Sequence, residues 1–424
     1  MLVVILYSCK TPLRIFDKKT AHEEYGEKIN NLGLRQTALG TTWFEQATKA
    51  LGQPVMVTLP YREAGYFAAD KAGASGYRFV AKRGERLTIS LVTNPAVSYL
   101  VFADLFLYEN GVPKAAAAMD STTHTLTYAV KETVDFVLRL QPELLKSGSY
   151  ELDIQAGPSL AYPVNNPATK NRVISVWGVG RDGGARKHEG IDIGGDRNTP
   201  LVAVGEGQVT RVAENNLGGK VVFIRSAENN ESWYYAHLDS QIAVPGQRVK
   251  AGDVIGLMGN TGNASTTVPH LHFGIYTNQG AVDPLPYVNP VTTSPKPVTA
   301  AIASLGKQFR TQRKATPVFL QPDKSGKETL AENILVQLVA ASTNQYKVQL
   351  PGGETRFIAA IDLTGIEKPI RSITLATSRP LLDAPNSTAP QVQQLPAGSK
   401  VQLLGRYLQF QYIQVAEKVG WVSE

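Results

Sequence analysis

Between about Pro54 and Ile154 apolar and polar residues alternate with a period of two, in short runs broken by Gly, Pro and Asn. Leu87-Thr88-Ile89-Ser90-Leu91 is the plainest of these runs, with apolar side chains on one face of a strand and polar ones on the other. Phe79-Val80, Leu105-Phe106-Leu107-Tyr108, His124-Leu126-Tyr128-Val130, Val134-Phe136-Leu138-Leu140 and Tyr150-Leu152-Ile154 repeat the pattern at the spacing of a β-sandwich. Upstream the period changes. From about Glu27 to Leu51, Ile29, Leu32, Leu34, Ala38, Trp43, Phe44, Ala47 and Leu51 recur near helical spacing, with Gly40 expected to interrupt the helix and Gly52 to end it. Residues 10–25 are polar and charged and read as a tether.

Downstream, a Pro/Asn segment from Pro158 to Pro167 leads into a glycine-rich central module that ends near Pro290. Thr292-Thr293-Ser294-Pro295-Lys296-Pro297 then has the composition of a linker. The C-terminal part repeats itself: Pro317-Val318, Leu330, Val336-Gln337-Leu338 and Tyr346-Lys347-Val348 are echoed by Pro380-Leu381, Leu395, Val401-Gln402-Leu403 and Tyr412-Ile413-Gln414-Val415. The second copy closes on Gly420-Trp421-Val422, and the pair resembles bacterial SH3-like barrels. Gly76-Tyr77-Arg78-Phe79, Gly84-Glu85 and Gly148-Ser149-Tyr150 resemble the jelly-roll-like modules that accompany secreted peptidases. The expected fold is mainly β and multidomain: tether and helical segment 10–52, β-sandwich 53–157, central antiparallel sheet 168–290, linker 291–306, and repeats 307–368 and 369–424.

Composition narrows the setting. The 424 residues are too many for a single core, and no apolar run is long enough to span a bilayer. A net charge of +7 favours polyanionic surroundings, but without a dense Lys/Arg cluster nucleic acid is the least fitting of them. The one cysteine, Cys9, excludes an internal disulfide framework. It follows the apolar run Leu2 to Ser8, which resembles the end of a bacterial lipoprotein signal; residues 1–9 then imply export and a lipid on Cys9 holding the chain to a membrane. A basic leader is missing from that signal, and the apolar run is short for one.

Four of the six histidines fall between His188 and His272. A hydrolytic zinc site takes three protein ligands and leaves a fourth position for water. His270 and His272, two apart on a strand, project from one face while Leu271 and Phe273 pack on the other. His188 and Asp192 form an H-x-x-x-D pair. With Gly183, Gly184, Gly190, Gly194 and Gly195 around it, a loop running into a short strand fits better than a helix. Glu189 therefore reads as a surface residue or one behind the ligands, not as the base of an H-E-x-x-H helix. His124, with no ligand-type neighbour, reads as structural or surface. Arg181 stands where it can meet a substrate carboxylate, though a solvated arginine is the simpler expectation.

The ordered set His188-x-Gly190-x-Asp192, Thr199-Pro200, Gly207-x-Val209, Tyr235-Ala236-His237-Leu238, Gly259-x-Thr261-Gly262 and His270-Leu271-His272-Phe273 closely resembles the lysostaphin-type (LytM-like) zinc endopeptidases of bacterial cell walls, over roughly Val173 to Tyr287. The resemblance implies one zinc ion per chain held by His188, Asp192 and His272, with His237 and His270 flanking the attacking water and the scissile carbonyl. It implies peptidoglycan peptides as substrate and the cell envelope as the place of action. Asn198 stands where many relatives have Gly before Thr-Pro, a change a turn accommodates. Two further readings stay open: a non-catalytic regulator of other wall hydrolases, as in relatives that have lost ligands, and a general protease.

Overall fold

The computed structural model describes residues 19–96, 99–120, 123–169 and 172–424, so the lipid-bearing role expected for Cys9 lies outside the described residues. Two helices, Ala21–Asn31 and Ala38–Gly52, lie against the sandwich. The first begins inside the segment expected to be a tether, because Thr20 and Glu23 form a reciprocal capping box that starts the helix there. The break also falls elsewhere than expected. Gly33, at φ 70°, separates the helices, whereas Gly40 lies within the second. Its missing side chain serves packing: a Cβ there would sit 2.0 Å from the Leu34 carbonyl oxygen.

The sandwich closes on a core whose apolar side chains come from two sheets. Tyr77, Phe79, Leu105, Phe136 and Leu138 from one meet Leu87, Ile89, Leu91, Leu152 and Ile154 from the other, all buried. Strands at Tyr61–Phe67 and Val112–Ala118 escape the sequence pattern, the latter being alanine-rich and largely solvent-facing. His124 precedes the strand Thr125–Ala129, at φ 53°, instead of lying on it.

The sandwich and the first C-terminal repeat, expected as separate modules, share one sheet. Tyr61–Phe67 pairs with Gly148–Pro158 on one side and with Leu335–Ser342 of the repeat on the other, at Ala64↔Ala341 and Gly65↔Ala340. Residues 299 and 300 of the expected linker also dock on the repeat, where both amides donate to the Thr343 carbonyl and Ala300 is buried. The second repeat forms its own six-stranded sheet from Arg371 to Ser423.

The central domain is a ten-stranded sheet in which Ile191–Gly194, His270–Thr277 and Ser232–Gln241 are neighbours, all antiparallel. Its core, with Ile191, Ile193, Tyr235, Leu271 and Phe273 fully buried, also takes in Val164 and packs against Leu160 and Tyr162. The unit thus starts before residue 168, inside the Pro/Asn segment read as a lead-in. It joins the sandwich where the Tyr287 ring lies on Gly84, whose carbonyl accepts from the Ser159 amide.

Candidate metal centre

The alternation that buries Leu271 and Phe273 leaves His270 and His272 on the opposite face of the strand. Asp192 is paired directly across from His272, and Ala236 lies on the other side of it. His188 arrives from a short hairpin, Gly180–Arg181 against Arg186–Lys187, whose base is closed by His188 N–H to Val179 O and Gly178 N–H to His188 O. The structure thereby brings His188 Nε2, His272 Nδ1 and Asp192 Oδ1 into a triangle with every edge 3.0 Å.

Backbone carbonyls fix the tautomers. His188 Nδ1 lies 2.9 Å from Val176 O, His237 Nδ1 2.9 Å from Thr261 O and His270 Nδ1 2.9 Å from Val268 O. Each of these nitrogens is placed to donate its proton to a carbonyl, which in the neutral ring leaves the lone pair on Nε2. In the triangle this leaves the His188 lone pair 3.0 Å from both the carboxylate and the other imidazole. One proton between His272 and Asp192 relieves a single edge and leaves His188 facing two acceptors. A cation relieves all three. The edges are close to the ~3.3 Å of a tetrahedron with metal–ligand bonds of about 2.0–2.1 Å, so the donor set fits zinc.

Burial and neighbours set the protonation states. Burial alone raises the Asp192 carboxyl, but hydrogen bonds and charge from His188 and His272, acting when those rings are protonated, overcome it and hold the group far below the usual carboxylate range. His272 is lowered, chiefly by burial. His237 is lowered to about 4, first by burial and then by its neighbour His270, so it is a neutral imidazole near pH 7.

Local structure explains how His237 comes to face this group. The strand Ser232–Gln241 carries a β-bulge, where its register against Lys220 and Val222 shifts, and His237 sits there at φ 64°. The bulge turns the imidazole toward His270 and His272, with ring centroids 5.0 and 6.0 Å away. Gly190 makes room on the other side: a Cβ there would lie 2.6 Å from His272 Cε1. Gly219 and Gly262 meet back to back, a Cβ on Gly262 lying 2.2 Å from Gly219 N, and this contact carries Thr261 to His237.

A cleft of about 270 Å³ opens over these side chains. Glu189 is exposed at its edge, where burial and then the Glu189 carboxylate push the Tyr276 hydroxyl up to about 12. Asn198, at φ 67°, occupies the left-handed turn before Thr199-Pro200 that glycine also suits. Arg181 departs from the expectation of a solvated side chain: its Nη2 donates to Asp192 Oδ2 at 2.6 Å and to Ser175 Oγ at 2.8 Å. Sequence reasoning also missed Tyr234, whose ring meets His272 edge-on at 5.8 Å. Period-two spacing from Ala236 places it on the cleft face. The Val176, Thr261 and Val268 carbonyls leave no trace in the sequence, since any residue supplies one.

Two donors on adjacent strands, a third delivered by the hairpin, and two more imidazoles across a cleft form a candidate mononuclear metal site. Residues 186–284 match the model of Peptidase family M23, which supports an M23 peptidase domain within the chain. An uncharacterized metalloprotease of Haemophilus influenzae is 35% identical over 39% of this chain and 33% of its own length. The L-Ala–D-Glu endopeptidase of Bacillus subtilis is 36% identical over 27% of this chain and 38% of its own length. The murein hydrolase activator NlpD of Escherichia coli is 34% identical over 28% of this chain and 30% of its own length. The chain spans 23% to 48% of the length of the curated relatives it matches.

Proposed function

We propose that the chain is a zinc-dependent endopeptidase that hydrolyses the cross-linking peptides of bacterial peptidoglycan in the cell envelope. The observation that carries this reading is the triangle of donor atoms on His188, Asp192 and His272, whose mutual 3.0 Å contacts call for a shared cation. A zinc ion held there supplies Lewis acidity and lowers the pKa of a water toward about 7. The remaining work belongs to His237 and His270, whose Nδ1 protons are committed to carbonyls and whose Nε2 atoms are free to accept. One takes a proton from the water as its oxygen attacks the peptide carbonyl. The other, acting as an imidazolium, donates its Nε2–H to the developing oxyanion, and the first ring passes the proton it took to the amine as the C–N bond breaks. The B. subtilis relative, an L-Ala–D-Glu endopeptidase, supports peptidoglycan peptides as the substrate class.

A second reading, a non-catalytic activator of other wall hydrolases, draws on the likeness to NlpD. The intact set of His188, Asp192, His237, His270 and His272 favours the enzyme. Digestion of purified sacculi, followed by mass spectrometry of the products, separates the two. The expected result is released peptide fragments, abolished by a chelator and by His188→Ala. Protein with full zinc occupancy that releases nothing would overturn the enzyme reading and favour the activator.

A further inference from the structure

The hairpin that delivers His188 also grips the carboxylate opposite. Arg181 lies on its first strand, paired with Arg186, and the turn between them passes through Gly183 at φ 68° and Gly184 at φ 101°. From there the guanidinium reaches back so that Nη2 bridges Asp192 Oδ2 and Ser175 Oγ. The other carboxylate oxygen, Oδ1, faces His188 and His272. The Asp192 side chain is 11% exposed and that of Arg181 33%. The pair is thus partly shielded from solvent, where a charge-assisted hydrogen bond is stronger than at an open surface. Just upstream, Val176 O accepts from His188 Nδ1 and Ser175 Oγ lies 3.4 Å from it. One stretch, Ser175 to His188, therefore holds two of the three candidate ligands from behind.

We propose that Arg181 is a positioning residue for the metal centre: by holding Asp192 Oδ2 it makes the carboxylate a one-oxygen ligand and keeps the fourth metal position open. The proposal rests on the zinc reading above. A carboxylate released from Arg181 could swing both oxygens toward the ion, which would raise the coordination number and crowd the place needed for water. It also loses the orientation that pre-forms the triangle. Arg181 drains some negative charge from Asp192, which by itself weakens a metal bond. Pre-orientation is expected to win, since partners that hold metal ligands from behind are typically worth 10–100-fold in metal affinity.

The test is zinc affinity of the full chain by competition with a chromophoric chelator, together with the visible spectrum of the cobalt(II) form. Arg181→Met should fold as the parent does, because the side chain is a third exposed. It is expected to bind zinc about 10–100-fold more weakly and to lose cobalt(II) absorbance in the visible, as a four-coordinate ion becomes five-coordinate. Arg181→Lys, which keeps a donor near Asp192, should fall between the two. If the parent takes up no zinc, the metal reading fails and takes this proposal with it. If the parent binds zinc and Arg181→Met matches it in affinity and cobalt spectrum, only the positioning role is overturned. A raised KM at unchanged zinc affinity would likewise overturn it, making Arg181 a substrate contact.

Discussion

His237 is held in a backbone conformation that side chains with a Cβ rarely adopt, at a cost of about 1–2 kcal/mol. The bulge spends that energy on direction, since a regular strand residue at this position would point away from His270. Burial then holds the imidazole neutral, with its pKa lowered to about 4 from an ordinary value of 6.5. The sign follows: between those two values the unfolded chain binds a proton that the folded chain does not. The site is intact above pH 6.5 and loses stability as the pH falls toward 4. A cation between the ligands pushes the imidazole the same way. In ¹⁵N NMR His237 is therefore expected to remain the neutral Nδ1–H tautomer from pH 8 down to 5. A resonance that titrates near pH 6.5 would show the ring to be open to solvent and not tied to Thr261.

At the scale of elements, the first helix carries a second such group. His22 is buried on the helix, stacked on Trp43 at 4.6 Å between ring centroids, and its Nε2 meets the Gln141 side chain at 2.6 Å. Burial lowers its pKa below 6.5, and the nearby Arg139 lowers it further. Protonation therefore favours release of the helix: its docking is complete above pH 6.5 and weakens below it. Trp43 reports the change, so tryptophan emission and helix amide exchange should shift together on acidification, and His22→Gln should flatten both responses. The second helix, which carries Trp43, marks where the sequence could and could not be read. Strong alternation, as in Leu87 to Leu91 or His270 to Phe273, identified strands and their buried faces because solvent enforces it. Gly40 does not interrupt its helix: it answers to the close approach of the Leu34 carbonyl, six residues back, which apolar spacing does not carry. Arg181 was misread for the same reason. Its partner is 11 residues on and is reached only once the hairpin turn has formed.

At the scale of the whole molecule, the surprise is a carboxylate buried where the sandwich meets the first repeat. Glu63 is 1% exposed and accepts from the hydroxyls of Tyr61 at 2.7 Å, Tyr77 at 2.5 Å and Tyr150 at 2.8 Å. Lys347 of the repeat sets its ammonium 3.8 Å from the same carboxylate and 4.9 Å from the centre of the Tyr77 ring, and donates to Ser75 Oγ at 3.3 Å. Three hydroxyls satisfy the lone pairs of Glu63 but not its charge, which three neutral donors leave uncompensated in a poorly solvated place. The counter-charge comes from the other module, beside the two backbone pairs that splice Tyr61–Phe67 to Leu335–Ser342. Removing only the lysine strands a buried anion, so Lys347→Met is expected to destabilise the full chain on the order of 3 kcal/mol. Removing both charges at once is a different matter. Glu63→Gln combined with Lys347→Met should recover much of that loss, giving a coupling energy well above zero in urea unfolding. Purely additive single changes would mean that the repeat is held to the sandwich by its strand pairing alone. Strong coupling would mean that the first repeat and the sandwich unfold as one unit, with the central domain joined to them through Tyr287 on Gly84.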